Sequence, residues 1–544
     1  MRVRISTAIR VARETGAQPG RKTIGIVAYI KRHPLGTVMG VAILLRLVAV
    51  LFSKGYMASD DHYDTIEVAY NWLSQGFYTD QGHLIWAHRL DGIIARFPLY
   101  TFSLHAIMRV YYWCGVEALD TMMYGIRAVH AAVSLILVYA VYRTVELVTR
   151  SNRWALAAGL IMAAHGVIPF LSVRALIEMV GGELLMLAVY WLYRYQEKGE
   201  ERWLFWAGVM TGLAWMIRLQ IAAAALPIPF LLWWQAKNLK TPLKYLAGGL
   251  IVFLLEGVID YLVVGRWFGI TFGSFNSWPQ PMYNTIFLIY PAVLLVFYIP
   301  PFSILATVVC FNREVWRRHK LLILMIVSFV AVHMLFTNRQ ERFMIPLIGP
   351  LGTLFVLALW QHFQEGGWLT RHRLVWRTVI GISIVINLIL LPVFTVNYSH
   401  KGLVEPFVRI QRLDPRPRVV MVSPDRHQLY AQHYAGIPLI DQVRINSWQD
   451  LDRYLPDASE EDYYLFYPQS EDKLSEYLSH VESRSGPLEL VFTVGVSSID
   501  WLLHIVNPSH NPLRRCWVYR RATGTSTGCG SSPVISNEAK GQYK

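Results

Sequence analysis

Along most of this chain the apolar residues do not alternate with polar ones; they come in long blocks. The first is "LGTVMGVAILLRLVAVLFS", residues 35–53. A helix needs about 20 apolar residues to cross the hydrocarbon core of a bilayer. Further blocks predict spans near 125–148, 154–169, 179–195, 203–217, 219–235, 245–264, 285–311, 320–336, 343–362 and 376–397. The connections "TRSNR" (149–153), "YRYQEKGEER" (193–202), "AKNLKTPLK" (236–244), "NREVWRRHK" (312–320) and "TRHRLVWR" (370–377) hold most of the inter-span Lys and Arg. Basic loops stay in the cytoplasm. The basic N-terminus then starts inside, and 54–97, 170–178, 265–284 and 337–342 face outward. This alternation requires that 98–117 not cross alone. It is read as a juxtamembrane helix or half of a pair, which gives about eleven to thirteen spans.

Past residue 397 the pattern changes. Short strand-like runs appear at "RVVMVS" (418–423), "YYLFYP" (463–468), "LELVFTV" (488–494) and "CWVYRR" (516–521). Helical stretches such as "DRHQLYAQHYA" and "EDKLSEYLSHV" lie between some of them, which predicts a small α/β domain. The expected organisation is a basic cytoplasmic segment 1–34, a transmembrane domain 35–398 with its first exoplasmic loop at 54–97, an exoplasmic α/β domain 399–522, and a disordered tail 523–544. The fold class is thus a polytopic α-helical membrane protein with a small C-terminal soluble α/β domain.

Composition agrees. Hydrophobic residues make up 54% and charged ones 16%, with a mean hydropathy of +0.33; a soluble chain would carry about a quarter charged residues. The net charge of +14 follows the positive-inside pattern and argues against a nucleic-acid partner. Of the four cysteines, Cys114 and Cys310 lie in apolar runs. Cys516 and Cys529 lie in the polar tail, as a disulfide or as two free thiols. No cleavable signal peptide is read at the N-terminus.

Chemistry gathers at the expected exoplasmic face. "MASDDHYDTIEVAY" (57–70) sets Asp60, Asp61, Asp64 and Glu67 beside His62 just after the first span. At α-helical spacing Asp60, Asp64 and Glu67 share one face. Spacing alone leaves two readings, a solvated acidic helix end or a catalytic cluster. The same loop adds Arg96, and the other outward segments and span ends add Arg174, Arg218, Asp260, Arg266, Arg339, Glu341 and Arg342. A single arginine there can snorkel to the interface, but ionisable groups collected at membrane depth are a functional hypothesis. Arginine suits phosphate through planar, paired hydrogen bonds. A carboxylate with such arginines is what transfer from a phosphate leaving group needs. The C-terminal domain has neither a Gly-rich phosphate loop nor a metal-ligand spacing, and no tight His/Asp/Glu cluster completes a coordination sphere around the outward acids, so no metal and no cofactor are expected.

These motifs resemble glycosyltransferase family 22, within the C-type (GT-C) membrane glycosyltransferases: the mannosyltransferases that extend the N-glycan precursor and the GPI-anchor core from dolichyl-phosphate-mannose. The family's first lumenal loop reads approximately His-Pro-Asp-Glu, aromatic, Gln, x, Leu-Glu. "ASDDHYDTIEVA" (58–69) matches it with Asp60 at the Asp, Asp61 at the Glu and Glu67 at the second Glu, while Ala58, Ser59 and Asp64 depart. "ARFPLY" resembles the Arg-Ser-x-x-Phe-Pro stretch, with Arg96 at the Arg. "DYLVVGRWFGITFGSFN" (260–276) is similar to the segment that begins with the family's Asp and ends in Asn-Phe-x-x-Phe-Asn. "NRQERF" (338–343) resembles His-Lys-Glu-x-Arg-Phe; Arg342 and Phe343 match, and Asn338, Arg339 and Gln340 depart.

The resemblance covers about residues 35–400 and implies an inverting displacement. Asp60 is then the general base, Asp61 orients its partner, and Arg218, Arg339 and Arg342, with Arg174 behind them, stabilise the departing lipid phosphate. His62, Glu67, Arg96 and Asp260 complete the expected substrate contacts. The implied partners are a polyprenyl-phosphate-linked sugar donor, with mannose favoured, a glycan or glycolipid acceptor, and the bilayer. The implied place is a bacterial inner membrane, or the ER membrane in a eukaryote, with a periplasmic or lumenal site. His62 is a second candidate base, or a histidine bonded to a neighbouring carboxylate. Other readings are a relative that glycosylates protein or lipid A, and a transporter or lipid flippase, which predicts repeats and midplane charges that the sequence does not display.

Overall fold

The computed structural model describes residues 21–78, 98–276, 288–336, 339–422, 431–438, 442–445, 447–454, 459, 461–468, 470–506, 508 and 511–522. The chain forms two compact units: residues up to Ser399 with Ser497–Leu502, and His400–Val496 with residues from Leu503 on.

The first unit is helical. Its principal helices are α1 (Pro34–Phe52), α2 (Pro98–Trp113), α3 (Leu119–Thr149), α4 (Ile177–Lys198), α5 (Arg202–Ile217), α6 (Lys240–Val264), α7 (Gly269–Asn276), α8 (Ile348–Gln364) and α9 (Arg373–Thr395). Among the described residues, six helical stretches are long and apolar enough to cross a membrane. They are α1, α3, Leu219–Ala236, α6, Glu341–Gln364 and α9. The expected span 285–311 is instead two helices, Ile289–Phe297 and Phe302–Cys310, bent by 116°. The break falls at Pro300 and Pro301, which lack the N–H that a helix interior needs. Counting that pair brings the total to seven, below the expected eleven to thirteen; the remaining apolar blocks form helices that are shorter or richer in charge. The undecided segment 98–117 forms α2. Its 16 residues span about 24 Å, short of a bilayer, and it packs on α3 and on Val68–Ser74.

Burial sorts these helices. In Glu341–Gln364, 89% of the apolar window is buried, against 6% in α9, so the first runs through the centre of the bundle and the second lies on its outside. Beyond its first turns, where Arg373 and Arg377 are exposed, the exposed side chains of α9 are apolar, among them Ile384, Val385, Leu388 and Ile389, as a lipid-facing helix requires. At the centre, α4 packs against α3, α5 and the 3₁₀ segment Glu341–Leu347. Helices α5 and α6 meet through glycine: a Cβ on Gly208 would stand 1.9 Å from the Tyr245 carbonyl oxygen, and one on Gly248 2.1 Å from that of Phe205. Small residues permit such backbone approach between membrane helices. A buried charge fixes α1. Arg46 donates from Nε to Ser134 Oγ on α3 (2.6 Å) and from Nη1 to the Ala163 carbonyl (3.3 Å).

The second unit is an α/β domain. Its five strands are β3 (Val419–Val422), β4 (Val443–Ile445), β5 (Tyr463–Phe466), β6 (Leu488–Val494) and β7 (Cys516–Arg521), in the order β4-β3-β5-β7-β6. Two two-residue strands of the first unit, β1 (Lys54–Gly55) and β2 (Tyr398–Ser399), pair in parallel. In the domain sheet β3 is parallel to β4 and β5, and β7 is antiparallel to β5 and β6. Central strands β3 and β5 are buried at every residue, and "VVMV" and "YYLF" are accordingly unbroken apolar runs. Glu471–Ser485 packs Tyr477 and Val481 onto that sheet. Of the expected helix "DRHQLYAQHYA", Gln432–Ala435 is a 3₁₀ turn and 425–430 lies outside the described residues. Cys516 is buried, and among the described residues no cysteine pairs with it; Cys529 and the expected disordered tail lie outside the described residues.

Candidate active site

The site begins where the chain leaves α1. Ser53 ends that helix, and Lys54–Gly55 pairs with Tyr398–Ser399. Gly55 has φ +76°, and a Cβ there would overlap the Ser399 carbonyl oxygen, so only glycine fits. Arg174 ties this ribbon down. It donates from Nη1 to the carbonyls of Gly55 (2.7 Å) and Ser53 (3.3 Å), and from Nη2 to Ser53 Oγ (3.0 Å) and Ser399 Oγ (3.4 Å), with its guanidinium 4.5 Å from the centre of the Phe170 ring. Arg127 reaches the same Ser53 carbonyl at 2.9 Å. The described contacts of Arg174 thus hold the entrance of the first loop.

From Ser59 the acidic segment is continuously helical. One short turn, Ser59–Asp61, leads into a π-helical stretch, His62–Glu67, and then into Val68–Ser74. The i→i+5 bonds of a π-helix widen the turn, and such stretches are frequent at functional sites. They also break the 3.6-residue phase on which a shared face of Asp60, Asp64 and Glu67 depends. Asp61 and Glu67 are completely buried, while Asp64 stays partly exposed. The expectation of a solvated acidic end therefore fails for Asp61 and Glu67. His62 is buried too, stacked on Tyr56 with ring centres 4.6 Å apart and edge-on to Tyr63 at 5.5 Å. Asp60 sits on the Ser59–Asp61 turn; its side chain lies outside the described residues.

Asp61 opens a buried charge network. Its Oδ2 accepts from Arg342 Nη1 at 2.7 Å. Arg342 Nε donates to Gln340 Oε1 (2.7 Å) and stands 3.7 Å from Glu178 Oε1. That same Glu178 oxygen pairs with Arg218 Nη1 at 2.8 Å. Phe343 lies beneath both cations, 4.8 Å from the Arg218 guanidinium and 5.5 Å from that of Arg342. The four charged side chains come from the first loop, the first turn of α4, the end of α5 and the segment before α8. Three of them, Asp61, Arg218 and Arg342, are expected site residues brought together. The fourth, Glu178, is one that the sequence reading passed over. Its signal was available, since an acid within "SVRALIEMVGGE" interrupts an apolar run.

Other expected residues are engaged elsewhere. Asp260 Oδ2 accepts from the backbone N–H groups of Ile270 (3.0 Å) and Thr271 (3.2 Å) and from the Thr271 hydroxyl (3.3 Å), which also reaches Glu256 at 3.0 Å. It therefore caps the first turn of α7. Arg339 donates from Nη2 to the Met334 carbonyl at 3.0 Å. Arg96 and Asn338 lie outside the described residues.

Residues 105–259 match the family described as dolichyl-phosphate-mannose-protein mannosyltransferase. Among solved structures, ArnT from Cupriavidus metallidurans in the apo state is similar over 90% of this chain and 98% of that one, at 12% identity and a TM-score of 0.58. The same protein bound to undecaprenyl phosphate aligns over 91% and 99%, at 12% identity and a TM-score of 0.54. No curated protein matches by sequence. At such identity the likeness shows the fold alone, and with the six long apolar helices it bears out a polytopic α-helical membrane fold shared with ArnT. It does not extend to family 22 in particular.

Proposed function

We propose that this chain is a glycosyltransferase that takes a hexose from a polyprenyl-phosphate carrier and passes it to a hydroxyl of a lipid-linked glycan. The observation that carries the reading is the buried Asp61–Arg342–Glu178–Arg218 network, built one residue away from Asp60. Two guanidiniums fixed in place by carboxylates are preorganised hydrogen-bond donors, and such donors stabilise charge that develops on a leaving group. The fold shared with ArnT, solved with undecaprenyl phosphate, supports a polyprenyl carrier. The match to the dolichyl-phosphate-mannose family over 105–259 supports mannose. We place the protein in a bacterial inner membrane with the site at the periplasmic face.

In the proposed reaction an acceptor hydroxyl oxygen attacks the anomeric carbon as the bond from that carbon to the phosphate oxygen breaks. The hydroxyl proton passes to the Asp60 carboxylate. The electron pair of the broken bond leaves on the phosphate, near Arg218 and Arg342, and the anomeric configuration inverts. Asp61 keeps the acidic turn in register with segment 339–347 through Arg342, and Arg174 fixes the loop entrance.

The test uses the purified full chain in detergent with radiolabelled polyprenyl-phosphate-mannose, and separately with the glucose and aminoarabinose lipids. A membrane lipid extract serves as acceptor. Label should move from the mannose donor to a lipid product. The rate should fall about 10²–10⁴-fold in Asp60→Asn, the usual worth of a general base. A full rate in Asp60→Asn would remove Asp60 from that role. Transfer from aminoarabinose alone would overturn mannose, and binding of every donor without transfer would overturn the enzyme reading.

A further inference from the structure

Helix α4 has a second charged end. Glu178 lies in its first turn, Lys198 in its last, and Arg194 and Glu197 just before Lys198. Twenty residues of helix separate Glu178 from Lys198, which is about 30 Å, the thickness of a membrane core. Beside that far end α3 also finishes, and between the two lies a cavity of about 490 Å³. Small-molecule sites fall in the range of about 300–1,000 Å³. Arg143, Glu146 and Arg150 line it from the α3 side, Arg194, Glu197 and Lys198 from α4, and Leu147 and Tyr190 give it an apolar wall.

Four cations face two carboxylates there. Arg143 is paired with Glu146 at 2.6 Å, and Arg194 with Glu200 at 2.8 Å. Arg150 and Lys198 are exposed, and among the described residues neither side chain has an ion pair or hydrogen bond. Cations at a helix C-terminus also offset the helix dipole. That accounts for Arg150 and Lys198 at the two helix ends, but not for Arg143 and Arg194 meeting them on one cavity.

We propose that this cavity binds the phosphodiester headgroup of an anionic membrane phospholipid. Basic pockets between spans take such headgroups, and a bilayer presents them at the depth of helix ends. Arg150 and Lys198 supply the charge, while Leu147 and Tyr190 border the glycerol and the start of the chains. The site is at the opposite end of α4 from the charge network, so its occupant is not the sugar donor.

The experiment is native mass spectrometry and thermal unfolding of the full chain in detergent, with phosphatidylglycerol, phosphatidylcholine or soluble glycerol 3-phosphate added. Phosphatidylglycerol should be retained and should raise Tm, and phosphatidylcholine should not. Arg150→Gln with Lys198→Gln should weaken phosphatidylglycerol binding roughly 25-fold, at the usual worth of two surface cations. Arg150→Lys with Lys198→Arg keeps the charge and should restore binding, which separates lost recognition from lost folding. An equal response to phosphatidylcholine, or unchanged binding in the Gln variant, overturns the proposal. A full response to glycerol 3-phosphate alone replaces the lipid by a small anion and overturns it as well.

Discussion

Removing the Glu178 carboxylate tests whether the charge network holds the bundle together. Glu178 is fully buried, and the Arg218 and Arg342 side chains it faces are 4% and 8% exposed. Two unit charges 4 Å apart attract by about 4 kcal/mol at an effective dielectric of about 20. Deleting one partner of a buried pair costs about 3–5 kcal/mol, because the surviving charge stays buried without compensation. Glu178→Ala takes from Arg218 its ion pair at 2.8 Å, while Arg342 keeps Asp61 at 2.7 Å. The expected destabilisation is therefore about 3–5 kcal/mol. A double-mutant cycle with Arg218→Ala, read by reversible unfolding in detergent, isolates the pair. Once Glu178 is gone, removing Arg218 should cost less than it does with Glu178 present, and the coupling should be about 2 kcal/mol or more. Effects that add to within about 0.5 kcal/mol, as for distant sites, would refute the ion pair. Glu178→Leu with Arg218→Met carries the argument to function. Apolar replacements of a buried pair are often neutral, so a stable but inactive double variant assigns the network to the reaction and not to folding.

Two further outcomes follow from the packing and from the polar turn after α4. Gly208→Val pushes α5 off α6, since even a Cβ would meet the Tyr245 carbonyl oxygen at 1.9 Å; overpacking of about 1–3 kcal/mol or more should lower Tm. Gly40→Ala on α1, with open space around it, should leave Tm unchanged or raise it, and equal effects at the two glycines would contradict the close approach. Glu200, in the turn between α4 and α5, is bound by the Trp203 indole and by Arg194, and its pKa is lowered to about 2. A depressed carboxylate contributes stability above its ordinary pKa and loses it as pH falls through the folded value. The Tm gap between wild type and Glu200→Gln should hold steady above pH 4.5 and close towards pH 2; a gap that ignores pH would remove Glu200 from the linkage.

How far the sequence reaches depends on the length over which a pattern acts. Apolar blocks and basic connections extend over many residues, and they mark out α1, α3, α6 and α9 within a few residues. The strands at 419–422, 463–466, 488–494 and 516–521 also lie where short apolar runs predict them. The bend at Pro300–Pro301 is different. Its composition is that of a span, and only the missing N–H groups argue for a break. Segment 98–113 stays ambiguous for a related reason: its apolar content suits a span, but its length and the partners it packs against decide otherwise.

The site was legible as charge and illegible as pairing. Acids and arginines collected on the loops expected at one face, and Asp61, Arg218 and Arg342 do meet. What the sequence could not supply was the phase of the acidic turn, because a π-helical stretch leaves no mark that α-helical spacing would read. Nor did it single out Glu178. Proximity in sequence does not find it: the arginine in the same run, Arg174, is held by carbonyls and hydroxyls, and the cation that Glu178 pairs with, Arg218, comes from another helix. The finished network has two carboxylates and two guanidiniums and no net formal charge, which is why it can rest buried. On the proposed reaction, the oxygens of a departing phosphate would compete with Glu178 for Arg218. The energy that makes Glu178 essential to the resting network would then oppose phosphate binding, so a shorter or neutral side chain at 178 should trade stability for tighter retention of the carrier phosphate.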